Sequence, residues 1–294
     1  MYSQIDSNKR KSVILIMLFI AIIIGLGYIF DLVWGTPGLY GGVWIAIIIS
    51  LLMTSVSYFQ GDKIALSVSG AKPIKKEDSN YVHNMVENLC ITAGMPVPKI
   101  YIMEDSAINA FATGRKPELA SIAITRGAIE KLENEELEGV LAHELSHIKN
   151  YDIRFMMLVA VLVGSIAIMS NIFIRSRIFG RQSNDGKGNM GGILLIAGIV
   201  LAILSPIIAE LIKLAISRKR EYLADASGAL LTRYPEGLAS ALEKISQDNT
   251  PIQKASKATA HLFIANPFKG KKVSKLFSTH PPVQDRINKL RGMA

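Results

Sequence analysis

A single cysteine, Cys90, in a chain of 294 residues rules out a disulfide within the chain. That suits a domain facing a reducing compartment. Cys90 sits in a helical pattern over residues 86–91 with no basic side chain beside it, so it reads as a small buried apolar residue rather than a nucleophile. Histidine is scarce too, with five in all. No internal repeat of solenoid length is present. The net charge of +9 is not accompanied by basic patches interleaved with stacking aromatics, nor by a known binding motif, so no nucleic-acid partner is expected. The positive charge falls instead in short clusters. Lys9, Arg10 and Lys11 precede one apolar run, Arg218, Lys219 and Arg220 follow another, and Lys269, Lys271, Lys272 and Lys275 lie near the C-terminus. Basic residues flanking apolar runs mark the cytoplasmic face of a membrane.

Half of the residues are hydrophobic, and the mean hydropathy of +0.31 is high for a soluble protein. The apolar residues gather in four runs, 13–30, 39–56, 155–174 and 192–216, each long enough to cross a bilayer core. The first is too long for a signal peptide and lacks a cleavage site after it. Tyr28, Phe30, Trp34, Tyr40 and Trp44 cluster where the first two runs meet, as an interfacial aromatic belt does. The Gly-, Asn- and Ser-rich residues 175–191 join the third and fourth runs as a loop carrying Arg175, Arg177, Arg181 and Lys187. An outside location for that loop runs against the positive-inside tendency, so the third and fourth runs either cross or form a hairpin that stops short, and their length favours crossing. The organisation expected is a membrane hairpin over 1–58, a cytoplasmic catalytic part over 59–154, a second hairpin over 155–216 and a second cytoplasmic part over 217–294.

The intervening segments have ordinary soluble composition. Residues 77–93 form an amphipathic helix ending at Gly94. Residues 98–104, 108–113 and 119–125 are β-prone, with a turn over 114–117. Asn134 is the expected N-cap of the next helix, with Glu135 and Glu136 in its first turn. Helices are also expected over 218–231, 235–247 and 281–290.

That helix from Asn134 carries His143-Glu144-Leu145-Ser146-His147, the pattern H-E-x-x-H. Positions i and i+4 share a helix face, so both imidazoles reach one metal ion and Glu144 stands beside it. Leu137, Val140, Leu141, Leu145 and Ile148 form an apolar stripe alongside. Two histidines leave a catalytic zinc one protein ligand short. Glu221 and Asp225, again at i and i+4, read either as a solvated helix face or as a ligand with a partner for an imidazole nitrogen; the incomplete site favours the second. His83 and His261 read as structural or surface residues. Asp152, just past the metal helix, reads as a capping or solvated group, with support of a ligand the less favoured alternative.

Four stretches occur in an order that resembles the HtpX-type membrane zinc metallopeptidases: Asn109-Ala110-Phe111-Ala112-Thr113-Gly114, the His143–His147 pattern, Arg220-Glu221-Tyr222-Leu223-Ala224-Asp225, and Ser278-Thr279-His280-Pro281-Pro282. These enzymes are related in their core to prenyl-protein peptidases and, more distantly, to thermolysin-like gluzincins. The resemblance covers essentially the whole chain. It implies an α+β fold: a mainly helical integral membrane protein with four transmembrane helices and a gluzincin-like catalytic domain containing a small β-sheet. It implies one zinc held by His143, His147 and Glu221, with Glu144 as general base, Asp225 supporting a ligand, and His280 near the oxyanion. It places Asn109, Ala110 and Phe111 at a strand edge that takes substrate as an added strand. On residues alone, Asn109 also reads as a turn residue and His280 as a helix-entry residue. The implied function is zinc-dependent endoproteolysis of misfolded or damaged membrane proteins at the cytoplasmic face of the cell membrane. The partners are polypeptide substrates and the lipid bilayer. The rival readings are a non-catalytic membrane scaffold or chaperone with a vestigial zinc site, a prenyl-protein-type peptidase, and a small transporter built around Glu210 and Lys213.

Overall fold

The structure, a computed structural model, describes residues 2–34, 38–179, 218–256, 258–268 and 280–293. The expected fourth apolar run, most of the loop before it, and the Lys269–Lys275 cluster lie outside these residues.

The chain opens with two long helices, α1 (Tyr2–Trp34) and α2 (Gly41–Val68). Both exceed the apolar runs within them. Nothing in the polar residues before Val13, or in the Asp62-Lys63 pair, breaks a helix, and α2 ends only at Ser69-Gly70. Among the described residues, two helices are long and apolar enough to cross a membrane, within Ile5–Ile29 and Gly41–Val68. Their outer faces expose Val13, Ile14, Met17, Trp44, Ile45 and Ile48. Asp31 joins them at the hairpin tip, its carboxylate accepting from the backbone amides of Gly42 (2.7 Å) and Val43 (2.9 Å) at the start of α2. Gly27 and Gly42 meet backbone to backbone there, and a Cβ on Gly27 would fall 2.5 Å from the Gly42 carbonyl oxygen.

A part of ordinary soluble composition follows. A four-stranded sheet has the order β1 (Lys72–Pro73), β2 (Lys99–Met103), β4 (Ser121–Thr125), β3 (Ala110–Thr113). β2 and β4 run parallel, with Tyr101 opposite Ala123, and the outer pairs are antiparallel. β3 is thus an edge strand. It starts two residues later than the β-prone run because the amides of Ile108 and Asn109 go to the side chains of Asp248 and Thr125 (both 2.9 Å). α3 (Asn80–Ala93) ends at Gly94, which adopts the left-handed conformation (φ 63°) of a helix C-terminus. The Cys90 thiol is buried within α3, and burial pushes it up to about 11, in keeping with an inert packing role.

After the short α4 (Arg126–Lys131) comes α5 (Asn134–Lys149), the helix carrying the two histidines. Its N-cap is Glu133 rather than the expected Asn134. The Glu136 carboxylate accepts from the Glu133 amide (2.7 Å) and sets the start one residue earlier, while Asn134 accepts from the Tyr81 hydroxyl. The stripe Leu137, Val140, Leu141, Leu145 and Ile148 packs against the sheet, α3 and the later helix α8 (Pro235–Gln247).

α6 (Asp152–Phe179) follows α5 after a turn at Tyr151, which takes a left-handed φ of 59°. It contains the expected third apolar run. Phe155, Leu158, Leu162 and Ile166 pack against Leu15, Phe19 and Ile23 of α1, and Met156 and Ala160 pack toward the sheet. The polar head of α1 is docked as well. Asn8 is buried and donates to the Asn150 carbonyl (2.9 Å) and the Asp152 carboxylate (2.6 Å). α7 (Arg218–Thr232) and α9 (Val283–Arg291) are the remaining α-helices described.

Candidate metal centre

α5 and α7 cross so closely that Gly228 of α7 sits against the backbone of His143. A Cβ there would lie 3.0 Å from its nitrogen and 3.2 Å from its Cα. This approach brings Glu221, two turns earlier on the same face of α7, over the two histidines. His143 Nε2 and His147 Nε2 are 3.1 Å apart. Glu221 Oε2 lies 4.0 Å from the first and Oε1 3.6 Å from the second, and all three side chains are buried. A tetrahedral ion with bonds of about 2.0–2.1 Å needs neighbouring ligand atoms about 3.3 Å apart, a value these separations bracket. Gly228→Val should force the helices apart, lowering stability by about 1–3 kcal/mol and weakening metal retention. Thermal unfolding with and without added zinc measures both.

The nitrogens facing away from the centre each lie beside a carboxylate. His143 Nδ1 is 3.0 Å from Asp225 Oδ1, and His147 Nδ1 is 3.0 Å from Asp152 Oδ2. A carboxylate accepts, so His147 Nδ1 donates to Asp152, and with Asp225 beside His143 Nδ1 the two Nε2 atoms are the ones turned toward a metal. Without a metal, a proton on His147 bridges the two Nε2 atoms at 3.1 Å; a metal ion would take that proton's place between them. Glu144, Glu221, Asp225 and Asp152 are buried around the centre, and among the described residues Arg220, Arg286 and the His147 imidazolium are the buried cations beside them. The four carboxylates outnumber these three cations, and a divalent ion that displaces the His147 proton offsets the excess. The residues therefore fit a zinc-type ion, and among the described residues His143, His147 and Glu221 are the one metal-capable cluster.

The titratable groups respond to this crowding. Burial draws the His143 imidazolium down to about 4. Burial acts the same way on His147, but the Asp152 and Glu221 carboxylates outweigh it and hold it up at about 9. Burial would raise the Glu221 carboxyl, yet His280, His147 and Arg286 keep it well below the usual range. Glu144 has less help. Burial pushes its carboxyl up to about 7, Glu221 adds to this, and His147, the Ala112 amide and Arg286 oppose it.

His280 reaches the centre through Glu221, with Nδ1 2.8 Å from Glu221 Oε2. Asp225 stands beside His143, with Oδ1 3.0 Å from Nδ1. Asp152 does more than the capping expected of it, because the left-handed Tyr151 turns the chain back so that its carboxylate meets His147 five residues earlier. Asn109 lies at the edge strand but is buried. Its amide donates to the Ala265 carbonyl (3.1 Å), and the adjacent Ala110 carbonyl accepts from the Ile264 amide (2.9 Å). Phe111 is buried against Phe263, with ring centroids 5.1 Å apart. His83 and His261 stay away from the centre, bound to the carbonyls of Ile74 and Met156.

Arg286 is a member of the centre that the sequence reading does not include. It is 1% exposed, grips Asp225 with two hydrogen bonds (Nε to Oδ2 2.9 Å, Nη2 to Oδ1 2.6 Å), and lies 3.8 Å from Glu221. A signal is available: Val283, Arg286, Ile287 and Leu290 fall on one helical face, so the arginine interrupts an apolar stripe.

Comparison with known proteins places this geometry in a wider group. The model of peptidase family M48 matches residues 76–294. A protease HtpX homolog from Caldanaerobacter subterraneus subsp. tengcongensis is 46% identical, covering 100% of this chain and 98% of the relative. Another, from Streptococcus gordonii, is 37% identical and covers 100% of both. The crystal structure of S. mikatae Ste24p shares the fold at a TM-score of 0.50 and 19% identity, covering 99% of this chain and 66% of that one.

Proposed function

The chain belongs to peptidase family M48, and on that premise we propose that it is a membrane-integrated zinc endopeptidase acting on misfolded or damaged membrane proteins at the cytoplasmic face. It is a metalloendopeptidase with polypeptide substrates. The observation that carries the finer reading is the convergence of Glu221, from a helix far along the chain, on the His143–His147 pair. A zinc ion held by these three residues would polarise the scissile carbonyl and acidify water toward a pKa of about 7.

Glu144 takes the water's proton and passes it to the leaving amine. Its burial beside Glu221 raises its proton affinity and suits it to that exchange. Asp225 and Asp152 hold the two imidazoles in the ligating tautomer. His280, already beside Glu221, is placed to steady the tetrahedral oxyanion. The edge of β3 would take an extended peptide as a further strand along Asn109, Ala110 and Phe111. That requires the 263–265 segment, now bonded to Ala110, to yield.

The proposed membrane topology is supported by α1. Lys9, Arg10 and Lys11 sit at the end of α1 that docks on Asp152, so the basic cluster and the centre share one side, and the positive-inside tendency makes that side cytoplasmic. Four crossings, using α6 and the apolar run after it, keep both catalytic parts there.

The test is zinc content and cleavage with purified full-length protein in detergent. One zinc per chain and chelator-sensitive cleavage of an unfolded membrane protein are expected. A chain that holds no zinc, or that binds zinc without cleaving, would overturn the reading.

A further inference from the structure

We propose that Asn8, in the head of the first membrane helix, is a positioning residue of the metal centre, so that the membrane anchor is part of what holds the ion. The proposal rests on the zinc reading above and extends it to a segment outside the part of the chain that the family model matches.

The contacts form a short chain. His147 Nδ1 meets Asp152 Oδ2 at 3.0 Å, and Asp152 Oδ1 accepts from Asn8 Nδ2 at 2.6 Å. The same amide nitrogen donates to the Asn150 carbonyl at 2.9 Å. Both partners are acceptors, which fixes the amide orientation without ambiguity. Asn8 therefore bridges the last turn of α5 and the first residue of α6, across the left-handed Tyr151 between them. The ring of Tyr151 lies under Lys9 (4.8 Å) and Arg154 (5.1 Å), so this turn is held by cations from both α1 and α6. Arg220, 3.7 Å from Asp152, supplies the opposite charge, which leaves to Asn8 the direction in which the carboxylate points.

Helix docking does not explain an asparagine here. The buried face of α1 runs Asn8, Ser12, Leu15, Phe19, Ile23. An apolar residue would seal the first position as well. Asparagine leaves its buried Oδ1 without a hydrogen bond among the described residues, a cost that an apolar side chain avoids. What it contributes in exchange is the donor to Asp152. The outer partner of a ligating histidine sets ring orientation and basicity, and losing such a partner typically lowers metal affinity about 10–100-fold.

The decisive variant is Asn8→Leu, close in volume and suited to the apolar seam. In the full-length protein, competition with a chromogenic zinc chelator should show affinity at least about tenfold weaker than wild type, while the metal-free protein loses only the modest stability of the two hydrogen bonds to Asp152 and Asn150. The visible bands of the cobalt-substituted protein should shift as well. Asn8→Asp, which replaces the donor by an acceptor facing Asp152, is the second variant and should weaken zinc binding further. Met17→Ala, on the exposed face of α1, should leave both readouts unchanged. Zinc affinity and cobalt bands in either Asn8 variant indistinguishable from wild type would overturn the proposal while leaving the zinc reading intact. A wild-type chain that binds no zinc would overturn both.

Discussion

Glu144→Gln should abolish proteolysis and leave the metal in place. The amide matches the carboxylate in shape but cannot take a proton, so the loss should lie in kcat and reach at least about 10³-fold, within the range for a general base. Zinc content should stay at the wild-type value because His143, His147 and Glu221 are untouched. Residual cleavage near the wild-type rate, in a preparation free of other proteases, would exclude Glu144 as the base. The same substitution should change the metal-free protein in the opposite sense. Burial holds the folded Glu144 carboxyl up at about 7, above its ordinary 4.5. A raised folded value means that the protonated group favours folding, fully below the unfolded pKa, and that this contribution is lost as pH rises through about 7. The substituted amide is neutral throughout. Stripped of metal, the variant should therefore be the more stable protein above neutral pH, by something on the order of 3 kcal/mol. Denaturant unfolding in chelator at pH 5 and pH 8 would show the gap opening only at the higher pH.

Arg286→Met should have the largest effect on stability. The guanidinium makes both of its paired bonds to Asp225, and removing it strands a carboxylate in the core. Breaking a buried pair in this way costs about 3–5 kcal/mol. Asp225 would also lose the brace that aims it at His143 Nδ1, so zinc should be released more readily. Arg286→Lys should rescue little, because an ammonium cannot reproduce the two-pronged grip. The double change Arg286→Met with Asp225→Asn removes both charges and should recover much of the stability, though not the metal affinity. Melting curves with and without zinc separate these two consequences. Full stability in Arg286→Met alone would show that Asp225 finds another partner.

These effects also show which parts of the centre can be read along the chain. His143, Glu144 and His147 share one helical face, so their spacing alone declares a ligand pair and a base. Glu221 and Asp225 repeat that spacing on α7, and their roles emerge once a ligand is missing. Asp152 reads as a cap because its value depends on Tyr151, a residue with no outward sign of a left-handed backbone. Arg286 lies on the apolar face of α9, where the stripe of Val283, Ile287 and Leu290 draws attention away from the charge within it. Asn8 sits before the first apolar run, where polarity suggests solvent, yet it continues the buried stripe of Leu15, Phe19 and Ile23. For both Arg286 and Asn8, a polar residue at an apolar helical position is the signal. The helix ends are less legible: α2 runs on through Asp62 and Lys63 because charge on an exposed face does not stop a helix, and α5 starts at the residue fixed by the Glu133–Glu136 exchange.

The docking of Asn8 beside the end of α5 also works as a depth gauge. Five residues of helix separate it from Val13, the first of the apolar run, a rise of about 7–8 Å. An extended polypeptide advances about 3.3 Å per residue, so a chain emerging from the lipid covers that height in two or three residues. If the hydrocarbon begins at Val13, as the proposed topology has it, the α5–α6 turn would stand in the shallow layer of lipid headgroups. Bonds cut there should lie within a few residues of where a substrate leaves the hydrocarbon, and mapping the termini of its fragments would reveal whether they do.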